Sequence, residues 1–179
     1  MGIIDKLVTK DSNGEFIIHS WEEWKHISGG ILHCPICLSL HECWFNTLKK
    51  PESPLHEKCH CITKHISKPI PYVNAKAECD IKKFTDYIFS DKYAWNGKRT
   101  LFENLGFTKE DSYYLKEEYE KQAVIKYTES QYKLQKLNWN GQRINIDIEF
   151  IKNGRSIKFT SGWMVRPKGK ITNNTPLGD

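Results

Sequence analysis

Cysteine and histidine are the residues of this sequence whose types and spacing could do chemistry. The chain has six cysteines and seven histidines, and ten of these thirteen lie between His33 and His65. The stretch runs Cys34-Pro-Ile-Cys37, then Cys43, then His56-Glu-Lys-Cys59-His60-Cys61. Zinc takes four soft ligands in a tetrahedron, and two short chelating pairs from separated points of a chain supply them economically. Cys34 and Cys37 form the first pair. His56, Cys59 and Cys61 compete for the second: Cys59 and Cys61 are preferred because thiolates hold zinc tightly, with His56 as the alternative ligand. His41, Cys43 and His60 rank lower, and Cys79, alone further on, reads as a core thiol. A catalytic zinc keeps an open position and usually has histidine or carboxylate ligands, so this thiolate-rich set predicts a structural Zn2+.

Charge separates a second region. The chain of 179 residues carries a formal +5. Residues 1–75 hold eight Lys/Arg and eight Asp/Glu, residues 76–179 hold nineteen and fourteen, and residues 131–179 alone hold nine and three. A basic excess confined to one predicted sheet suits a polyanion such as RNA, though a solvated lysine-rich surface would look the same. Mean hydropathy is −0.62 and no apolar run approaches a membrane span, so a membrane partner is not expected. Met1 to Asp5 lacks the basic and apolar parts of a secretory signal, which makes the cytoplasm the expected location. Clustered cysteines in a reducing compartment are metal-bound more often than disulfide-bonded.

The elements that must position these residues read as an α+β fold. Asn13-Gly14 between Ile3–Val8 and Glu15–Ile18 predicts a β-hairpin with a two-residue type I′ turn. Ser20, with Glu23 three residues on, predicts a short capped helix with Trp21 and Trp24 on one face. Pro51, Pro54, Pro69 and Pro71 break the next stretch, and Ser67–Pro71 reads as a linker between residues 1–72 and 73–179. Ile81, Phe84, Tyr87 and Ile88 mark a helix face. Lys98 to Leu105 makes a second helix, stopped by Gly106, and Thr108 with Asp111 starts a third. Strands follow at about 132–139, 142–151 and 155–165, with hairpin turns at Asn140-Gly141 and Asn153-Gly154 and a short fourth strand at Gly169–Thr172. The outcome is helices followed by a three- to four-stranded antiparallel meander.

Two resemblances bear on function. The run Cys34-x-x-Cys37, Leu40, Phe45, then Pro54-Leu55-His56-Glu57-Lys58-Cys59-His60-Cys61 resembles the Cys/His tail of phage minor head (head-morphogenesis) proteins. Those tails carry proline where Glu57 stands and arginine where His60 stands, and their large helical body is absent. Further on, Asn96-Gly97-Lys98-Arg99-Thr100-Leu101-Phe102-Glu103-Asn104-Leu105-Gly106-Phe107, Ser161-Gly162-Trp163-Met164-Val165 and Thr175-Pro176 are similar to elements of small C-terminal domains of polymorphic toxins. Such domains are grouped with barnase/EndoU/colicin-like ribonucleases.

The second resemblance implies a metal-independent endoribonuclease acting on RNA. A base would take the ribose 2′-OH proton and cations would stabilise the charged phosphorane. Lys98, Ser161, Arg166 and Thr175 would be the catalytic candidates. Arg143, Lys158, Thr160 and Trp163 would bind the nucleic acid, with Trp163 or Trp139 stacking a base. Each has a plainer role available. Lys98 suits a solvated first helical turn. Trp163 shares parity with Ile157, Phe159 and Val165, which is core parity, whereas Lys158, Thr160 and Arg166 share the polar one. Gly162 is a candidate bulge, and the tyrosines from Tyr113 to Tyr132 suit packing. No histidine follows His65, so the usual imidazole acid–base is missing from this half. The alternative reading is a non-enzymatic, phage-encoded binding protein that inhibits a host nucleic-acid-guided defence complex, or a virion-associated structural protein.

Overall fold

The computed structural model describes residues 8–10, 14, 16–18, 20–27, 34–66, 74–152 and 154–177. The architecture is α+β, with strand and helix appearing where the side-chain period changes. Ile144, Ile146, Ile148 and Phe150 alternate with polar residues along β8 (Gly141–Lys152), and all four are buried. β7 (Lys133–Asn138), β9 (Arg155–Arg166) and β10 (Lys170–Thr175) continue an antiparallel meander. A three-residue strand, β6 (Lys76–Glu78), adds to the β10 edge in parallel, giving the order β6-β10-β9-β8-β7. The sequence carries no signal for β6.

Turn chemistry explains the register. Lys152 pairs with Arg155, so two residues connect β8 and β9, as expected. At the β7–β8 connection Asn138 pairs with Gly141, so Trp139 and Asn140 form the turn, one residue earlier than the expected Asn140-Gly141. Asn138 fixes it by accepting the Asn140 N–H on its side chain at 2.8 Å. Gly162 is not a bulge: β8 and β9 pair continuously through it. The irregularity lies opposite, between Asn173 and Thr175 in β10, where the Thr175 methyl would sit 3.0 Å from any Cβ placed on Gly162.

Helix α4 (Ser112–Thr128) covers the apolar face of the sheet, burying Leu115, Tyr119, Ala123 and Tyr127 at intervals of four. It follows a 3-10 turn (Lys109–Asp111) whose Thr108/Asp111 capping box is present as expected. The earlier helical stretches are α1 (Pro35–Ser39), α2 (Lys83–Ile88, with π-type hydrogen bonding) and α3 (Lys98–Glu103).

The N-terminal part differs more from expectation. β1 (Val8–Lys10) and β2 (Phe16–Ile18) pair as a hairpin, but Lys10 lies opposite Phe16, so five residues rather than two separate the paired ends. Ile3 to Leu7 and Asn13 of that expectation, and the Ser67–Pro71 linker, lie outside the described residues. The helix expected from Ser20 is a strand, β3 (Trp21–Lys25), at the centre of a sheet ordered β4-β3-β5 with β4 (Trp44–Asn46) and β5 (Ile62–Ile66). The Ser20 hydroxyl bonds Thr47 at 2.8 Å instead of capping a helix. Trp21 and Trp24 are buried because a central strand can be covered on both faces, not because they share one. Trp21 meets Tyr127 of α4 edge-on at 5.2 Å, and Trp24 lies beside Cys61.

These contacts join the two parts. The Tyr127 hydroxyl donates to the Trp44 carbonyl, and the Tyr132 hydroxyl donates to the Lys49 carbonyl at 2.7 Å. Cys43 bridges Pro167, and the Lys168 N–H donates to the Glu42 carbonyl at 2.7 Å. Gly169, at φ +77°, lies against Trp44 so closely that a Cβ would fall 2.5 Å from the indole. Only glycine meets both conditions there.

Candidate metal centre and sheet face

Local folding brings the cysteines together. Pro35 occupies the first position of α1, where a missing N–H is harmless, and the Leu38 N–H reaches the Cys34 carbonyl at 3.0 Å. Cys34 and Cys37 therefore straddle one helical turn. A turn closed by the Cys59 N–H on the His56 carbonyl, 3.0 Å, presents His56 and Cys59 together. The Cys37 sulfur, 1% exposed, is the common neighbour: it lies 3.2 Å from His56 Nε2 and 3.7 Å from the Cys59 sulfur. At a Zn–S bond of about 2.3 Å, two thiolates on one tetrahedral ion stand about 3.8 Å apart. A disulfide would hold the sulfurs at about 2.05 Å, and all six cysteines are free.

The donors form two sets. Cys34, Cys37 and His56 have ligand atoms within 4.8 Å of one another, and so do His26, Cys37 and Cys61. All four cysteines of the expected set, Cys34, Cys37, Cys59 and Cys61, gather at the Cys37 sulfur, the alternative ligand His56 stands beside it as well, and Cys61 also meets a second histidine. His26 was missed altogether. Lys25 pairs with Ile62 between β3 and β5, so the next residues along the antiparallel register, His26 and Cys61, face each other, with Nδ1 to Sγ at 3.8 Å. That pairing depends on β3 being a strand, and the helix expectation hid it.

The thiols of this set are shifted in both directions. Burial pushes the Cys37 thiol up, and its Cys61, Cys34 and Cys59 neighbours push it further. Burial also raises Cys61. At Cys59 burial acts in the same direction but is outweighed by hydrogen bonds from the Cys61 and Leu55 backbone, which hold that thiol below its usual value. Ligation displaces these protons, so metal affinity falls in acid. Cys43 and Cys79 stand apart, each pushed up to about 12 chiefly by burial, as inert core thiols do. His41 accepts the His26 backbone N–H on Nδ1 at 3.1 Å, and His60 is exposed.

The other candidates lie on the C-terminal sheet, and two do not fit the roles expected of them. Trp163 is fully enclosed in the core, so it cannot stack a base. Ser161 is equally buried: its hydroxyl donates to the Thr175 carbonyl at 3.0 Å and accepts from the Asn173 amide at 2.9 Å, out of reach of any phosphate. Its odd parity along β9 puts it on the helix-covered face. Lys98 and Thr175 converge, since both donate to the Leu177 carbonyl, at 3.2 and 2.7 Å. Arg166 is held elsewhere, at the far end of the sheet, by Thr172 and the Asn140 carbonyl. The four expected catalytic residues therefore do not form one constellation.

The expected binding residues Arg143, Lys158 and Thr160 share one sheet face, open at Lys158 but closed over at Arg143, whose Nε is enclosed and whose partner Met164 is buried. Glu149 pairs with Lys158, Asp147 with Thr160, and Arg143 with Met164 across β8 and β9. Thr160 donates to Asp147 at 2.9 Å. At the end of this face lies a groove of about 370 Å³, to which Lys49, Lys126, Lys133 and Lys158 contribute, with Asp147 and Glu149 as its acids. Gln122 of α4 seals the strand edge there, bonding both the N–H and the carbonyl of Glu149. Trp139, 70% exposed, projects from the hairpin that Arg166 grips.

The family described as "Domain of unknown function (DUF6883)" matches residues 71–174. The chain belongs to this family. The match takes in the five-stranded sheet, α4 and the lysines contributed by 126, 133 and 158, and it leaves the Cys/His segment outside. No curated protein and no solved structure matches the chain. Among the described residues of this DUF6883 protein, no helix is long and apolar enough to cross a membrane.

Proposed function

We propose that this chain is an RNA-binding protein in which a structural zinc ion staples the Cys/His segment to a sheet that carries RNA on its open face. The ion is held by Cys34, Cys37, His56 and Cys59. Zinc would supply cross-linking here and no chemistry. The observation that carries the RNA reading is the lysine-lined groove, in which four cations from separate elements meet two carboxylates. Lys126 and Lys158 already pair with Glu149 and Asp147, at 2.9 and 3.5 Å, through exposed contacts that phosphate oxygens could replace at little cost. Arg143 and Thr160 extend the same face, and Trp139 offers an accessible aromatic plane further along.

A second reading, cleavage of the bound RNA, has one observation in its favour: Lys98 and Thr175 converge beside a pocket of about 300 Å³ lined by Lys82, Lys83, Tyr87 and Tyr93. The burial of Ser161 and the distant anchoring of Arg166 weigh for binding over cleavage.

One experiment separates the two. Purified protein is mixed with labelled single-stranded RNA in the presence and absence of EDTA, and both binding and RNA length are followed. Binding with intact RNA supports the first reading. Cleavage lost in Lys98→Ala supports the second. No binding at low salt removes both.

A further inference from the structure

The metal cluster contains more donors than one zinc ion can use. Five side chains surround or adjoin the Cys37 sulfur, Cys34, His56, Cys59, Cys61 and His26, making six donors with Cys37 itself. A tetrahedral ion accepts four. The two three-donor sets have only Cys37 in common, so the surplus is not spread randomly around one centre. The surplus donors, His26 and Cys61, sit together beside the Cys37 sulfur, with Cys61 also next to Cys59.

We infer that the segment holds two thiophilic divalent ions bridged by the Cys37 thiolate. This rests on the zinc reading above and adds an ion to it. The first ion takes Cys34, Cys37, His56 and Cys59. The second takes His26, Cys37 and Cys61. Counting Cys37 twice, the six donors fill seven of the eight positions that two tetrahedral ions offer, and solvent takes the eighth.

Three observations support the second ion. The His26 Nδ1 to Cys61 Sγ separation of 3.8 Å is close to the edge of a tetrahedron with one nitrogen and one sulfur ligand, about 3.6 Å. Both residues are fixed by backbone register at the β3–β5 ladder end, and Cys61, 8% exposed, is packed by Trp24, 0% exposed, so the donors are preorganised rather than loose surface groups. Charge completes the argument. With both ions bound, four thiolates at −4 meet two divalent ions at +4, so the second ion brings the buried Cys37 and Cys61 sulfurs into a neutral cluster. A buried thiolate is the ligand best able to bridge, because it has lone pairs for both ions and no competing hydrogen-bond donor is needed.

The test is stoichiometry. Zinc is titrated into reduced, metal-free, full-length protein against a chromophoric competing chelator. Two ions per chain are expected, falling to one in the His26→Ala/Cys61→Ser variant and staying at two in His26→Cys, which restores a soft donor. Cobalt(II) in place of zinc should give sulfur-to-metal charge-transfer absorption that grows over both equivalents. One ion per chain in the unaltered protein would overturn the second site while leaving the structural zinc intact. Two ions retained by the double variant would overturn its assignment to His26 and Cys61. No bound zinc at all would remove both readings.

Discussion

Between Cys34 and Ile66 the chain has one five-residue helix and strands of three and five residues, whereas β8 and β9 alone run for twelve residues each. The first region is built from short pieces gathered around Cys37. The second is built from long hydrogen-bonded strands whose alternate side chains meet α4. A short-stranded segment buries little surface of its own to hold its loops, and the proposed metal ion would supply what the core does not. The sheet needs no such staple, and its open face is left for polar and basic side chains. The same contrast separates the kinds of site. In the first region the chemically distinctive residues converge on a buried sulfur, Cys37, from half-buried Cys34 and Cys59 and exposed His56. In the second the candidate residues that remain available are the exposed ones, Lys133 and Lys158 among them.

The comparison is broken most forcefully by removing metal. Chelation under reducing conditions should expose the backbone amides of β3, β4 and β5 to hydrogen exchange while β8 and β9 stay protected; structural zinc sites contribute on the order of 10 kcal/mol in small domains. Equal loss of protection in β8 and β9 would mean that the metal supports the whole fold. A smaller effect is expected at the junction. Gly169→Ala combines a positive φ with a clash against Trp44 and should lower stability by about 2 kcal/mol or more, read by denaturant midpoint.

Smaller again, Ser161→Ala should cost about 1 kcal/mol from its two buried hydrogen bonds and leave RNA affinity unchanged. A large loss of RNA affinity at unchanged stability would return Ser161 to the site. The smallest effect concerns pH. Burial works to raise the Asp111 carboxyl, but the Thr108 N–H and Lys152 outweigh it and hold it below its usual value. With a folded pKa below the unfolded one, this group stabilises the fold above about pH 4 and loses that contribution as pH falls through the folded value. Asp111→Asn should flatten this acid dependence by less than about 1 kcal/mol, and an unchanged acid limb would refute the capping role.

How much of this was legible in the sequence follows the same division. In the sheet, the period-two pattern of Ile144 to Phe150 and the Asn-Gly pairs place β7 to β9 nearly to the residue, with one turn displaced because the Asn138 side chain starts it early, while β10 runs three residues beyond its expected end at Thr172. The parallel strand β6 was not legible, because three residues, Lys-Ala-Glu, carry no period. In the Cys/His segment the chemistry was legible and the fold was not. Trp21 and Trp24 at a spacing of three imitate a helix face when each covers a different side of one strand, and that misreading concealed His26. Ser161 and Trp163 were drawn into the site by a motif, although parity along β9 assigns both to the core. The groove was illegible for a different reason: Lys49, Lys126, Lys133 and Lys158 come from four separate elements and have no common spacing.

The division of labour stands or falls on the open face. The most direct measurement is the affinity for a labelled single-stranded RNA across a salt series, comparing the unaltered protein with Lys133→Glu/Lys158→Glu at matched zinc content. Four lysine contacts predict a log–log salt slope of about −3 for the unaltered protein, and the variant should bind at least about tenfold more weakly with a shallower slope. Equal affinity and equal slope in the two proteins would contradict the assignment of RNA to this face.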